Sequence, residues 1–211
     1  AGWVTEEHSL FADEASKFLD TELKPHIEKW ANDGVVERNF WKKAGDMGLM
    51  GGSVHEEFGG SGGDISFDAI TAYLQAAKGD AGWGYGIQSI VIHYINAYGS
   101  EEQKAKWLPQ LVNGEKIAAL AMTEPNCGSD LQAIKTHAEK DGNQYKINGS
   151  KTFITNGGSA DLICLAAKTD PNQGSKGVSL LMVETDGLEG FRRGTPLKKV
   201  GMKGNDTAEL F

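Results

Sequence analysis

The sequence predicts an α+β protein: an all-α helical N-terminal domain over residues 1–115, followed by an antiparallel, β-barrel-like middle domain over residues 116–211. Two observations carry this. Up to Gly114 the apolar residues recur three and four apart, the period of a helix with one buried face. Beyond Gly114, short alternating or aliphatic runs replace them. Asp141-Gly142 and Asn148-Gly149 stand between these runs, and such dipeptides favour the tight turns that join antiparallel strands. No internal repeat or low-complexity segment interrupts either half.

The elements follow in order. Thr5 is placed to cap a first helix, in which Leu10, Phe11, Ala15, Phe18, Leu19 and Leu23 have the spacing of one buried face. Pro25, without an N–H, is expected to bend or end it. A second helix is predicted near 39–47. The glycine-dense loop "GGSVHEEFGGSGGD" then separates it from helices near 65–78 and 84–98. In "SEEQKAKWLPQLVNG", Ser100 and Gln103 form a capping-box pattern, and Asn113-Gly114 closes the helix. The apolar run at 117–120 reads as a strand. Hairpin strands follow, then strands near 162–167 and 178–183. "GNDTAELF" enters a further strand and stops there without a polar tail, so the chain is expected to be a fragment of a longer protein.

Bulk properties narrow the function. Lys and Arg number 21 against 29 Asp and Glu, a formal net charge of −8. That balance argues against a general nucleic-acid surface, which needs a basic field to displace counterions, yet it leaves room for a local basic pocket. No apolar run approaches the ~18–20 residues of a membrane span. The opening "AGWVTEEHSLFADEASKF" lacks the basic segment and apolar core of an export signal. Cys127 and Cys164 are too few for a disulfide framework. These features point to a reducing intracellular compartment, with a bacterial cytoplasm expected first and the mitochondrial matrix if the source is a eukaryote.

Common chemical motifs are missing. There is no G-x-x-x-x-G-K-[ST], and "GWGYG" at 82–86 lacks the spacing and strand–helix setting of a dinucleotide turn. "HEEFGG" at 55–60 is not H-E-x-x-H, the five histidines are scattered, and no metal site is expected. No serine lies in a G-x-S-x-G elbow. Two segments remain. In "LAMTEPNCGSD", Pro125 fixes one dihedral and Gly128 frees another, so successive N–H groups and the Thr123 and Ser129 hydroxyls can point into one space. In "KTFITNGG", Phe153 and Thr155 are two apart on a strand and share a face, an aromatic wall beside a hydroxyl donor. From spacing alone, an ordinary polar turn and an ordinary hairpin strand explain the same residues.

The ordered pair "AMTEPNCGSD" and "INGSKTFITNG", preceded by "YGSEEQKAKWLPQLVNGE", resembles the acyl-CoA dehydrogenase family. The likeness spans the chain and includes "WKKAGDMGLMGGSVHEEFGGSGG" and the closing "GTPLKKVGMKGNDTAELF". Phe153, where many relatives have tryptophan, and the run Val200-Gly201-Met202 lean toward the long-chain branch. The resemblance implies FAD as cofactor, bound between the β-domain and a C-terminal helical bundle that this chain lacks. Segment 120–129, with Leu120, Met122, Thr123, Gly128 and Ser129, would line the isoalloxazine and pyrophosphate. Thr123 would reach the pyrimidine edge and Ser129 the pyrophosphate. Phe153 would pack on the ring face opposite the substrate beside Ile154, and Thr155 would donate to N5. Ser129 and Ser175, in "GSKGVSLLMVE", would contact the acyl-CoA.

The implied reaction is α,β-dehydrogenation of an acyl-CoA thioester to the trans-2-enoyl-CoA in fatty-acid β-oxidation, with electrons leaving to an electron-transferring flavoprotein. Family members are commonly tetramers, and a homo-oligomer is expected of the full-length protein. The catalytic base is expected beyond Phe211, so residues 1–211 alone are expected to be inactive. Glu124 belongs to the flavin-loop motif and is expected to serve as a local hydrogen-bonding residue. One departure stands out: Asn126-Cys127 occupies a place where Gly-Ala is usual. Asn tolerates left-handed backbone, so the turn can survive. The thiol could tune a flavin or simply fill space. Two alternatives stay open: a non-catalytic flavin- or acyl-CoA-binding module, and a same-fold acyl-CoA oxidase or flavin monooxygenase.

Overall fold

In the computed structural model, which describes residues 2–211, the chain divides into two units. One runs to Ile117 and takes in Lys198–Asn205; the other comprises Ala118–Leu197 and Asp206–Phe211.

The first unit is helical: α1 (Glu6–Phe18), α2 (Ile27–Asp33), α3 (Arg38–Asp46), α4 (Ile65–Ala77), α5 (Tyr85–Tyr98) and α6 (Glu101–Val112). Thr5 caps α1 through a capping box with His8, and Ser100 caps α6 through one with Gln103. Between α1 and α2 the chain stays wound, first as a π-turn at Leu19–Leu23, then as a 3-10 turn at Lys24–His26. Pro25 can give no N–H to the turn before it, and the change of winding absorbs the mismatch. The buried stripe of this segment is Ala15, Leu19 and Leu23. Leu10, expected on that face, is exposed, because five residues carry it about 140° around the helix from Ala15.

Aromatic rings fill the core. Trp30 packs on Phe40, Phe40 meets Trp83 edge-on, and Trp83 lies against Tyr85. Buried polar groups bind the helices together: the Gln88 amide donates to the Leu111 and Lys116 carbonyls, and the Asp68 carboxylate accepts from the Tyr85 and Ser89 hydroxyls. Among the described residues no helix is long and apolar enough to cross a membrane.

The second unit is mostly β: β1 (Ala118–Ala121), β2 (His137–Asp141), β3 (Gln144–Asn148), β4 (Lys151–Thr155), β5 (Leu162–Lys168), β6 (Val178–Glu184) and β7 (Thr207–Leu210). The antiparallel, barrel-like expectation needs correcting in its detail. β5 is the centre of a five-stranded sheet; it runs antiparallel to β6 but parallel to β1 and, at Lys168 opposite His137, to β2. β4 and β7 form a separate two-stranded antiparallel sheet, so two sheets stand in place of a closed barrel.

Asp141-Gly142 makes the expected hairpin, with Asp141 paired to Gln144 and Gly142 at φ +60°. Asn148-Gly149 does not. After it β4 leaves β3 and pairs with β7. Gly149 (φ +159°) is where the chain crosses Thr136: a Cβ there would stand 2.3 Å from the Thr136 hydroxyl oxygen, so only glycine fits the crossing. Small and aliphatic side chains form the core, among them Ala119, Ala121, Ile154, Ile163 and Leu210.

Candidate flavin-binding segments

The buried strand β1 ends at Ala121, and the chain becomes half-buried at Met122 and Thr123. Glu124 turns inward again and opens a tight turn: its amide donates to the Cys127 carbonyl (2.9 Å), and the Cys127 amide donates back (3.1 Å). Pro125 sits at the second position of this turn, where its fixed φ suits the bend. Gly128 and Ser129 are exposed. The 3-10 turn that follows, Leu131–Ala133, packs against the 3-10 turn Gly174–Gly177, which carries Ser175. Ser129 precedes the first of these turns by two residues, and Ser175 lies in the second. Cys127 is free and buried with Ile134 and Ala166, against Met122 and Val178, which gives it the surroundings of an apolar filler.

β4 supplies the second segment. Its pairing with β7 slips between Lys151 and Ile154, a β-bulge, and Phe153 within the bulge has φ +58°. A bulky aromatic residue rarely adopts left-handed backbone, and Phe153 does so with its side chain 68% exposed. Ile154 is buried in the β core and Thr155 is half-buried. The side chain of Ile154 is thus occupied by the core, and only its backbone is free to meet a ligand. Asn156 follows at φ +60°, held by its side-chain amide on the Ala118 carbonyl (2.9 Å) and by its N–H on the Asp206 carbonyl (2.9 Å).

Simple alternation assigns Lys151 to the Phe153–Thr155 face. The bulge turns it inward instead, to 3% exposure. Its ammonium donates to the Met122 carbonyl (2.8 Å) and to Glu124 Oε1 (2.9 Å). Oε1 also accepts the Thr136 amide, and Oε2 the Lys135 amide. Burial works to raise the Glu124 pKa, but these donors outweigh it and hold the carboxyl down at about 2. Burial likewise lowers the Lys151 pKa against the pull of Glu124. Glu124 is therefore a local hydrogen-bonding residue, as the sequence reading expected. Lys151 was missed, because a lysine in an alternating run gives no sign of being buried.

The arrangement has the chemistry a flat heteroaromatic group needs. The hydroxyls of Thr123, Ser129 and Thr155 make no hydrogen bond to another described residue and remain free to donate. Phe153 presents an exposed ring close by in sequence. The Thr152 amide donates to the Thr123 carbonyl (2.9 Å), so the β1 exit and the start of β4 lie side by side. A cavity of about 620 Å³ opens in this unit at the start of β4, walled by Tyr145, Ile147, Lys151, Leu165, Val183 and Phe191. Its lining takes in Asn148, Gly149, Ser150 and Lys151 from the second motif, but not Thr123, Ser129, Phe153 or Thr155. The donor-bearing segments are the stronger candidate. No group of three or more His, Cys, Asp or Glu side chains among the described residues is placed to hold a metal ion.

The family model "Acyl-CoA dehydrogenase, N-terminal domain" matches residues 5–115, and "Acyl-CoA dehydrogenase, middle domain" matches residues 119–211. The chain is 45% identical over 208 residues to the long-chain specific acyl-CoA dehydrogenase, mitochondrial, of Sus scrofa, covering 97% of this chain and 48% of that protein. It spans about half the length of that relative. Among solved structures, an acyl-CoA dehydrogenase from Geobacillus kaustophilus superposes with a TM-score of 0.95 at 47% identity, over 99% of this chain and 56% of the other. A glutaryl-CoA dehydrogenase from Mycobacterium smegmatis, solved in complex with FADH2, gives a TM-score of 0.88 at 30% identity over 98% of this chain and 52% of the other. Residue motifs, fold and both domain matches lead to one conclusion: the chain belongs to the acyl-CoA dehydrogenase family.

Proposed function

We propose that the full-length protein is an FAD-dependent acyl-CoA dehydrogenase of the long-chain-like branch, acting in fatty-acid β-oxidation. In this reading residues 1–115 are its helical domain and residues 116–211 its flavin- and acyl-CoA-binding β-domain. One observation supports it best. Two segments on different sheets, tied together by the Thr152–Thr123 hydrogen bond, offer free hydroxyls and an exposed aromatic ring held at strained backbone.

When bound, FAD supplies the acceptor for the hydride removed from the acyl chain. This chain's residues position it. Leu120, Met122 and Gly128 shape the cradle, and the Thr123 hydroxyl donates to the pyrimidine edge. Ser129 donates to the pyrophosphate. Phe153 covers one ring face, with the Ile154 backbone beside it, and Thr155 donates to the ring nitrogen where charge gathers on reduction. Ser129, just before the turn Leu131–Ala133, and Ser175, in the turn packed against it, receive the acyl-CoA. Glu124 is committed to Lys151 and two amides, and the family resemblance assigns removal of the α-proton to a carboxylate of the full-length protein beyond Phe211. An electron-transferring flavoprotein takes the electrons onward, and the working form is a homo-oligomer in a reducing compartment.

Anaerobic mixing of the full-length protein with a panel of acyl-CoAs tests this reading. Bleaching of the visible flavin absorbance is expected, with enoyl-CoA as product and a preference for long straight chains. Bound flavin that no acyl-CoA bleaches would indicate a binding module. Reduced flavin that reoxidises rapidly in oxygen would indicate an oxidase.

A further inference from the structure

Three consecutive residues at the β1 exit are tied to two consecutive residues at the start of β4, although the two strands belong to different sheets. The Lys151 ammonium holds the Met122 carbonyl and the Glu124 carboxylate, one on each side of Thr123. The Thr152 amide holds the carbonyl of Thr123 itself. No strand ladder exists between these segments to fix their register, and this clamp stands in its place. Both charged members are buried, at 3% and 7% exposure, and the second carboxylate oxygen is anchored on the Lys135 amide. The clamp is therefore rigid where an exposed pair would be loose. Phe153 and Thr155 follow Lys151 by two and four residues, through the bulge that turns Lys151 inward.

We propose that Lys151 and Glu124 are positioning residues for the cofactor: the ion pair sets the placement of the Thr123 hydroxyl relative to Phe153 and Thr155, and flavin affinity depends on it. This inference rests on the function proposed above. Lys151 donates to two acceptors on separate parts of the loop. Arginine keeps the charge but spreads its donors over a planar fork, so it restores the clamp only in part. Glutamine at 124 can still accept, but leaves a buried ammonium without its counter-charge.

The test uses full-length protein with FAD in equilibrium dialysis, alongside the visible spectrum of the bound flavin and the reduction potential. The double variant Glu124→Gln/Lys151→Met removes both charges together, which avoids a lone buried ion, and its circular dichroism spectrum and melting curve check that it folds. It is expected to bind FAD about tenfold or more weakly, the effect of losing at least one well-formed hydrogen bond. Its residual bound flavin is expected to show a shifted spectrum and potential, and Lys151→Arg to recover part of the affinity. Lys43→Met, which removes an exposed pair with Glu22 in the helical unit, is the control and should change nothing. A double variant that melts earlier yet binds FAD with unchanged affinity, spectrum and potential would reduce the clamp to a stabilising contact and overturn the inference. Wild-type protein that fails to bind FAD would overturn the proposed function instead, so the two failures are distinguishable.

Discussion

Phe153 and Glu124 show how single residues depart from what stability alone would choose. Phe153 holds left-handed backbone with most of its ring in solvent, so burial does little to offset the strain. Asparagine tolerates this backbone better. Phe153→Asn is expected to leave the melting temperature unchanged or slightly raised while weakening FAD binding severalfold, measured by thermal unfolding and dialysis. A marked loss of stability would mean that the ring serves the fold. Glu124 carries a pH dependence. Its folded pKa of about 2 lies below the ordinary 4.5, so its contribution is present in full above about pH 4.5 and fades as pH falls toward 2. That difference corresponds to about 3 kcal/mol. In urea unfolding, the stability gap between wild type and Glu124→Gln should therefore narrow between about pH 5 and about pH 3. A gap that stays constant would show that the carboxylate charge is not the stabilising feature.

The helices and most strands follow local rules, and local rules are what a sequence displays. Capping boxes at Thr5 and Ser100 place two helix starts, and Asn113-Gly114 places a helix end. Gly114 has φ +74°, and a Cβ there would meet the Trp41 carbonyl oxygen at 2.1 Å. Gly79 has φ +82° with open space around it. Gly79→Ala should cost about 1 kcal/mol, the conformational cost alone, and Gly114→Ala distinctly more because backbone must also move. Equal losses in denaturant unfolding would contradict the close approach. The strand pairing was less legible. Asn148-Gly149 carries a strong turn signal, yet β4 pairs with β7 from the far end of the chain, and Gly149 crosses close over Thr136 on the way. The bulge at Phe153 has no sequence mark, since neither Phe nor Thr advertises left-handed backbone, and the burial of Lys151 was hidden with it. The free hydroxyls of Thr123 and Thr155 were legible because their neighbours, Pro125, Gly128 and Phe153, are unusual company for a plain loop.

In the reading proposed above, residues 1–211 supply hydroxyl donors for a flavin, and the carboxylate buried between the two donor segments, Glu124, is committed to Lys151 and two amides. We expect this chain alone to give no flavin bleaching with any acyl-CoA, and the full-length protein to give it. Bleaching by residues 1–211 would place the base within them. Direct proof lies in the FAD dissociation constant of full-length Thr123→Val, Thr155→Val and the double variant. Each single change should weaken binding by about tenfold, and the pair should lose more than either, because both hydroxyls face one cofactor. A double variant that binds FAD as tightly as wild type would mean that the β1 exit and β4 do not hold the flavin.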